Sequence, residues 1–349
     1  MGAKGAQHSI VRALWVLYVR LTTLICLATL LGVSAAQPQI PAGDLARAEA
    51  LLRVGKIAEA ESLYSKVGKS DPDYPQALLR LGTIYYSTGR PTLAEKCFQE
   101  YLTLKQTAEA FCLLAGAQFN LERFDQAYES TKKALRLDTK YAKAYTALGM
   151  IYTARKDWTD ADAAYRESLQ LNDRDSSTWF LLGRSYYLRN EFGKAREAYE
   201  AAVKLNPQSI RTYENLALTL DLLGDPAAAD KAFREGVRLS RGAPQPDARV
   251  QVAYGVFLFK LDRLEESRAQ LSEAVKANPQ NADAHYELGR VLFRLKEWKA
   301  AAGEGEAALR TGGPDYRVHF LLSKIYTTLG ETEKASSHAA DAARLGELK

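Results

Sequence analysis

From Ser176 to Ser209 large apolar, small and polar residues alternate with two successive helical periods, separated by a turn. With Ser176 as slot 1, Trp179, Leu182, Gly183 and Tyr186 occupy slots 4, 7, 8 and 11, one face of a first helix. Ala195, Tyr199 and Ala202 occupy slots 20, 24 and 27, one face of a second. Small residues at slots 8 and 20 let two backbones approach, while the large ones fill the space beside them. Pro207 ends the second helix, because it donates no backbone hydrogen bond and disfavours a helical predecessor.

The pattern recurs in nine copies, starting at Pro41, Pro75, Ala108, Ala142, Ser176, Ile210, Ala248, Ala282 and Tyr316. Most steps are 34 residues, with one of 33 and one of 38. Slot 8 reads Ala48, Gly82, Ala115, Gly149, Gly183, Ala217, Gly255, Gly289 and Ser323, small every time. Slot 20 reads Ala60, Ala94, Ala127, Ala161, Ala195, Ala229, Ser267, Ala301 and Ala335. An irregular all-α bundle would not keep this phase over about 300 residues, so the chain predicts an array of helix pairs, each packing on its neighbours.

These residues at this period resemble the tetratricopeptide repeat (TPR), a helix-turn-helix unit. The resemblance implies an all-α fold, a right-handed α-solenoid (superhelix) of about nine repeats, whose first helices line a concave groove. In that family slots 2, 5, 9, 12 and 13 point into the groove. Carried onto this chain, slot 12 gives Tyr86, Phe119, Thr153, Tyr187, Asp221, Phe259, Phe293 and Thr327; slot 9 gives Arg184, Arg290 and Lys324; slot 5 gives Leu79, Phe180, Tyr286 and Phe320. The expected partner-binding set is Tyr86, Phe119, Phe180, Arg184, Tyr187, Phe259, Tyr286, Arg290, Phe293, Phe320 and Lys324. Rings offer rigid apolar contact and guanidinium groups grip carboxylates, which suits an extended protein or peptide segment. The chaperone-tail clamp of the family needs asparagines at slots 6 and 9. Here Asn215 alone holds slot 6 and slot 9 never carries one, which argues against that partner.

The leading segment differs in kind. Lys4, Arg12 and Arg20 precede an apolar run, Leu21 to Val33, followed by Ser34, Ala35 and Ala36. It resembles a secretory signal cleaved after Ala36 or Ala35. The other reading is an uncleaved anchor spanning Ala13 to Val33, with Arg20 snorkelling. Either way the protein is expected to be exported to the cell envelope, the periplasm if bacterial, or anchored in the membrane, with membrane contact only through residues 13–33. The expected order is a signal or anchor at 1–36, a tether at 37–40, repeats one to six at 41–240, a Pro/Gly loop or hinge at 241–247, and repeats seven to nine at 248–349. Repeat one, with Asp44 and Arg47 in usually apolar slots, reads as a polar starting cap, and the helix around Ala335, Ala339 and Ala342 as the closing one. Gly303 and Gly305 predict a thin, locally weak second helix in repeat eight.

Net charge is +5 over the whole chain; without residues 1–36 it falls to +2, 44 basic residues against 42 acidic. So balanced a surface does not favour nucleic acid as a partner. An oxidising compartment would make cysteine pairing matter, but Cys112 at slot 5 is expected to point away from Cys97, leaving two separate thiols. His285 and His319 share slot 4 of consecutive repeats, so the period explains their spacing without a shared metal, and His338 is expected to stand without a nearby partner. No phosphate-cradling glycine loop, metal-ligand cysteine pair or nucleophile elbow is present. The expectation is a non-catalytic scaffold with no cofactor and no metal, or alternatively a self-assembling subunit of a larger envelope complex.

Overall fold

The computed structural model describes residues 43–242 and 248–347, and all regular structure among them is helical. The leader, the tether and residues 243–247 of the expected hinge lie outside the described residues. The helices form nine consecutive pairs: α1 Asp44–Arg53 and α2 Ile57–Tyr64; α3 Tyr74–Ser87 and α4 Pro91–Leu104; α5 Ala108–Asn120 and α6 Phe124–Leu137; α7 Ala142–Arg155 and α8 Trp158–Leu171; α9 Ser176–Leu188 and α10 Phe192–Leu205; α11 Ile210–Leu222 and α12 Pro226–Arg241; α13 Ala248–Lys260 and α14 Leu264–Ala277; α15 Ala282–Arg294 and α16 Trp298–Gly312; α17 Tyr316–Leu329 and α18 Thr332–Glu347. Seven of the nine first helices begin at the residue the repeat register names. The chain divides into two compact units, Gly2–Ser185 and Tyr186–Lys349, with the division inside α9. Within each unit a helix pair packs on the pair before and after it, the all-α repeat solenoid arrangement.

The two small columns are buried, apart from the half-buried Ser323. Every slot 20 residue from Ala60 to Ala301 has no exposed surface, and Ala335 has 7%. Where slot 8 is glycine, the side chain at slot 24 lies across it. A methyl group on Gly82 would come within 2.5 Å of the Phe98 ring, one on Gly149 within 2.6 Å of Tyr165, and one on Gly255 within 2.5 Å of Leu271. In repeat three Ala115 coincides with a slot 24 reduced to Thr131. In repeat eight both slots are glycine, and a methyl group on Gly289 would come within 3.3 Å of Ala301 O, in the second helix's own backbone. Leu322 of the next repeat reaches in over Gly305. Helix α16 nonetheless runs unbroken through Gly303 and Gly305.

Each pair is joined by the same turn. Slot 15 takes positive φ in all nine repeats: 76° at Gly55, Gly89 and Gly224, 79° at Gly330, and 60–66° at Glu122, Lys156, Asn190, Asp262 and Lys296. This left-handed residue reverses the chain after the first helix, so that the slot 16 N–H bonds to the slot 11 carbonyl, as in Arg90 N to Tyr85 O at 2.8 Å and Glu331 N to Tyr326 O at 2.9 Å. Glycine adopts that conformation without a steric penalty; the other five residues hold it because packed helices on both sides fix it.

The first repeat departs from the expected boundaries. Helix α1 begins at Asp44 rather than Pro41, and helix α2 stops at Tyr64 because Lys66 N and Val67 N bond three residues back, to Leu63 O and Tyr64 O, tightening the last turn ahead of Gly68.

Charged pairs staple successive repeats between slot 21 and the following slot 16. Arg90 meets Glu61 at 2.6 Å, Arg123 meets Glu95 at 2.8 Å, and Arg263 meets Asp230 at 2.7 Å; Arg268 and Glu297 make the same bridge at 2.7 Å with the signs exchanged. Burial by itself raises the Asp230 carboxyl, but hydrogen bonds from Arg234, Tyr254 and Arg263 outweigh it and hold it below its ordinary value. A depressed native pKa gives stability that is complete above the unfolded value and is lost as pH falls through the native one. Asp230→Asn should therefore lower Tm at neutral pH, and its difference from the wild type should shrink as pH falls below about 4 in thermal melts followed by circular dichroism. At the glycines, Gly303→Ala, exposed and with nothing near the new methyl, should raise stability by about 1 kcal/mol in chemical denaturation. Gly305→Ala, whose methyl would lie 2.7 Å from Leu322 Cδ2, should lower it by about 1 kcal/mol or more.

Candidate functional site

The candidate surface is the face that slots 5, 9 and 12 give the first helices, taken separately in each unit. In the unit of residues 2–185 most of its rings are not available to a partner. Tyr86 and Phe119 are 9% exposed and Phe180 is 5% exposed, which corrects their expected place as open groove contacts. The cause is geometric: the Tyr86 ring lies over Gly116, slot 9 of the next repeat, whose added methyl would meet the hydroxyl at 2.7 Å. Phe119 turns edge-on to Phe124, slot 17 of its own repeat, with ring centres 5.1 Å apart. Tyr86 thus locks onto the next repeat at a glycine, and Phe119 onto the turn of its own repeat. Arg184 is half-buried, near the buried Tyr165.

In the unit of residues 186–349 the same slots stay more open. Tyr187 is half-buried, edge-on to Phe192 with centres 5.6 Å apart, and burial followed by the Asp221 charge raises its hydroxyl pKa. Phe259 and Phe293 are half-buried. Arg290 at slot 9 takes over the role that Gly116 leaves to a ring: its guanidinium stacks 4.6 Å above Phe259 and 5.7 Å from Tyr286, and donates to Glu287 Oε2 at 2.5 Å. Burial raises the Glu287 carboxyl while Arg290 opposes it. Arg290 is therefore a built-in strut, already engaged with a carboxylate, rather than a loose clamp. On α17 Phe320 is 55% exposed with the Lys324 ammonium 4.3 Å from its ring centre, and Arg317 stands 5.1 Å from the Tyr286 ring. Cation-π contacts of this kind hold an aromatic surface open to solvent in a fixed arrangement.

Three expectations about other side chains can be placed. Cys97 and Cys112 are free, partly buried against different core clusters, and burial pushes their thiols up, to about 11 and about 12. His285 is buried, with Nδ1 2.6 Å from Glu304 Oε2 and Nε2 donating to Pro279 O at 3.1 Å. His338, expected to stand alone, does not: its Nδ1 lies 3.0 Å from Nδ1 of His319, and its ring stacks on Tyr326. The missed signal was a column across the pair, since slot 4 of a first helix faces slot 23 of the second, which holds Glu304 in repeat eight and His338 in repeat nine.

With the fold and this surface in place, the chain can be set beside known proteins. The family described as cilia and flagella-associated protein 70 C-terminal domain matches residues 27–251, more than half of the chain, and the chain belongs to that family of tetratricopeptide repeats. The general tetratricopeptide repeat family matches residues 257–316. No curated protein matches. Among solved structures, pilF of Pseudomonas aeruginosa is similar at 22% identity and a TM-score of 0.54, covering 62% of this chain and 97% of its own, and shares the fold. Two others are the APC/C hetero-tetramer Cut9-Hcn1, at 15% identity and a TM-score of 0.49, covering 88% of this chain and 81% of its own, and YrrB, described as a TPR protein with an unusual peptide-binding site, at 19% and 0.44, covering 55% and 96%. Among the described residues no helix is long and apolar enough to cross a membrane, and residues 13–33 lie outside them.

The two classes of ring separate by stability. Phe119→Ala should destabilise by about 3–5 kcal/mol, as a buried ring does, whereas Phe320→Ala should stay within about 0.5 kcal/mol of the wild type, both read from chemical denaturation midpoints.

Proposed function

We propose that the protein is a non-catalytic tetratricopeptide scaffold, exported or membrane-tethered, that binds extended protein or peptide segments on the first-helix face of residues 186–349. The observation that carries this reading is Phe320, a large ring left 55% exposed under the Lys324 ammonium on a helix packed beside α15, which presents Tyr286. Folding gains nothing from holding such a ring in water, while a binding surface gains a rigid apolar anchor with a cation beside it. The partner that fits is a segment offering an apolar side chain and a carboxylate near each other, since Lys324 can pair with the acid while Phe320 covers the apolar group. The families matched support a protein-binding role in general terms. The basic flank, apolar run and small residues at 1–36 support export or tethering.

Peptides selected on the full-length protein from a displayed random library should be enriched in acidic-apolar pairs. Phe320→Ala with Lys324→Glu should weaken the selected peptides at least tenfold, with helix content unchanged. Equal affinity in the double variant would remove this face from the proposal. Light scattering that showed the chain associating with itself through the same residues would favour the self-assembling alternative.

A further inference from the structure

The last repeat carries a constellation that the scaffold role does not use. Its origin is the slot 4 to slot 23 contact: in repeat eight His285 meets a carboxylate, Glu304, while in repeat nine His319 meets a second imidazole, His338. Two neutral rings placed nitrogen to nitrogen gain nothing from each other unless a proton or a cation lies between them. Asp341, one helical turn after His338 on α18, adds an oxygen: its Oδ2 is 3.8 Å from His319 Nδ1, and one ligand atom from each of the three residues lies within 4.8 Å of the other two.

The surroundings orient these atoms as they are oriented at metal centres. His338 Nε2 lies 3.3 Å from Glu306 Oε1, which places the ring proton on that side and leaves the Nδ1 lone pair facing His319. Glu306 is itself held by the Tyr326 hydroxyl, which donates to Oε1 at 3.1 Å, and the Tyr326 ring stacks on His338 at 5.6 Å, 6° from parallel. Asp341 Oδ1 accepts from Arg344 at 2.7 Å, leaving Oδ2 for the cluster.

We propose that His319, His338 and Asp341 bind one divalent transition-metal ion of the zinc class, clamping α17 to α18. Two imidazole nitrogens and one carboxylate oxygen are a borderline donor set, suited to zinc and its neighbours rather than to calcium or magnesium. Ligand atoms on a tetrahedral zinc stand about 3.3 Å apart, given Zn–N bonds of about 2.0–2.1 Å, and the 3.0 Å between the two Nδ1 atoms is close to that. Only the Asp341 carboxylate must swing inward, and its side chain is one-third exposed. Three protein ligands leave a fourth position for water or for a donor from a partner. The carboxylate on the far nitrogen of His338 is the outer support that imidazole ligands use.

The test is calorimetric titration of chelator-stripped full-length protein with zinc chloride. One equivalent should bind saturably, and Tm should rise in its presence. His338→Gln should weaken that binding by more than about 100-fold, and Glu306→Gln, which removes only the outer support, by about 10–100-fold. His285→Gln, in the carboxylate-paired repeat, should leave it unchanged. If His338→Gln loses helix content, Asp341→Asn, at a partly exposed position, serves in its place and should cost at least tenfold. Absence of saturable binding to the wild type, or full affinity in a folded His338→Gln or Asp341→Asn protein, overturns the proposal and leaves the pair as an Nδ1–H···Nδ1 hydrogen bond.

Discussion

The close approach of the two helices within each repeat is the constraint from which the rest follows. Backbones can come this near only where slots 8 and 20 are small, and each gap is then filled by whatever slot 24 offers: Phe98 over Gly82, Tyr165 over Gly149, Leu271 over Gly255. The filling varies: repeat three pairs Ala115 with Thr131, repeats one and six hold Ala48 beside Tyr64 and Ala217 beside Phe233, and where both slots are glycine, at Gly289 and Gly305, Leu322 of the next repeat moves in. Close packing lets the repeats differ in sequence while keeping one geometry.

A second constraint acts on the backbone. The left-handed residue at slot 15 fixes the angle at which the second helix returns, and five repeats reach it without glycine. Between repeats, the slot 21 to slot 16 ion pair plays a lesser part: it is made at some junctions only, and with the signs exchanged at Arg268 and Glu297. The pairs whose carboxylates are buried or largely buried, at Glu95 and Asp230, bear most on stability, since exposed pairs contribute little.

Function is distributed unevenly over this frame. In residues 2–185 the slot 12 rings are drawn into packing, Tyr86 over Gly116 of the next repeat and Phe119 against Phe124 of its own. In residues 186–349 slot 9 brings Arg290 and Lys324, which cover or accompany the rings and keep that face polar, aromatic and partly open. Groove slots taken from a family pattern therefore name positions, and the neighbour in the next repeat decides whether a side chain there faces a partner or the core.

What the sequence determined by itself was the period: the small columns at slots 8 and 20 fixed nine helix pairs and most of their first residues, because local helix geometry and steric size are written residue by residue. Tertiary structure alone decided that Tyr86 lies buried over Gly116, that Arg290 stacks on Phe259, and that His338 joins His319. Each of these depends on a residue in another helix, brought close by stacking, and a pattern read along one helix at a time carries no record of that neighbour.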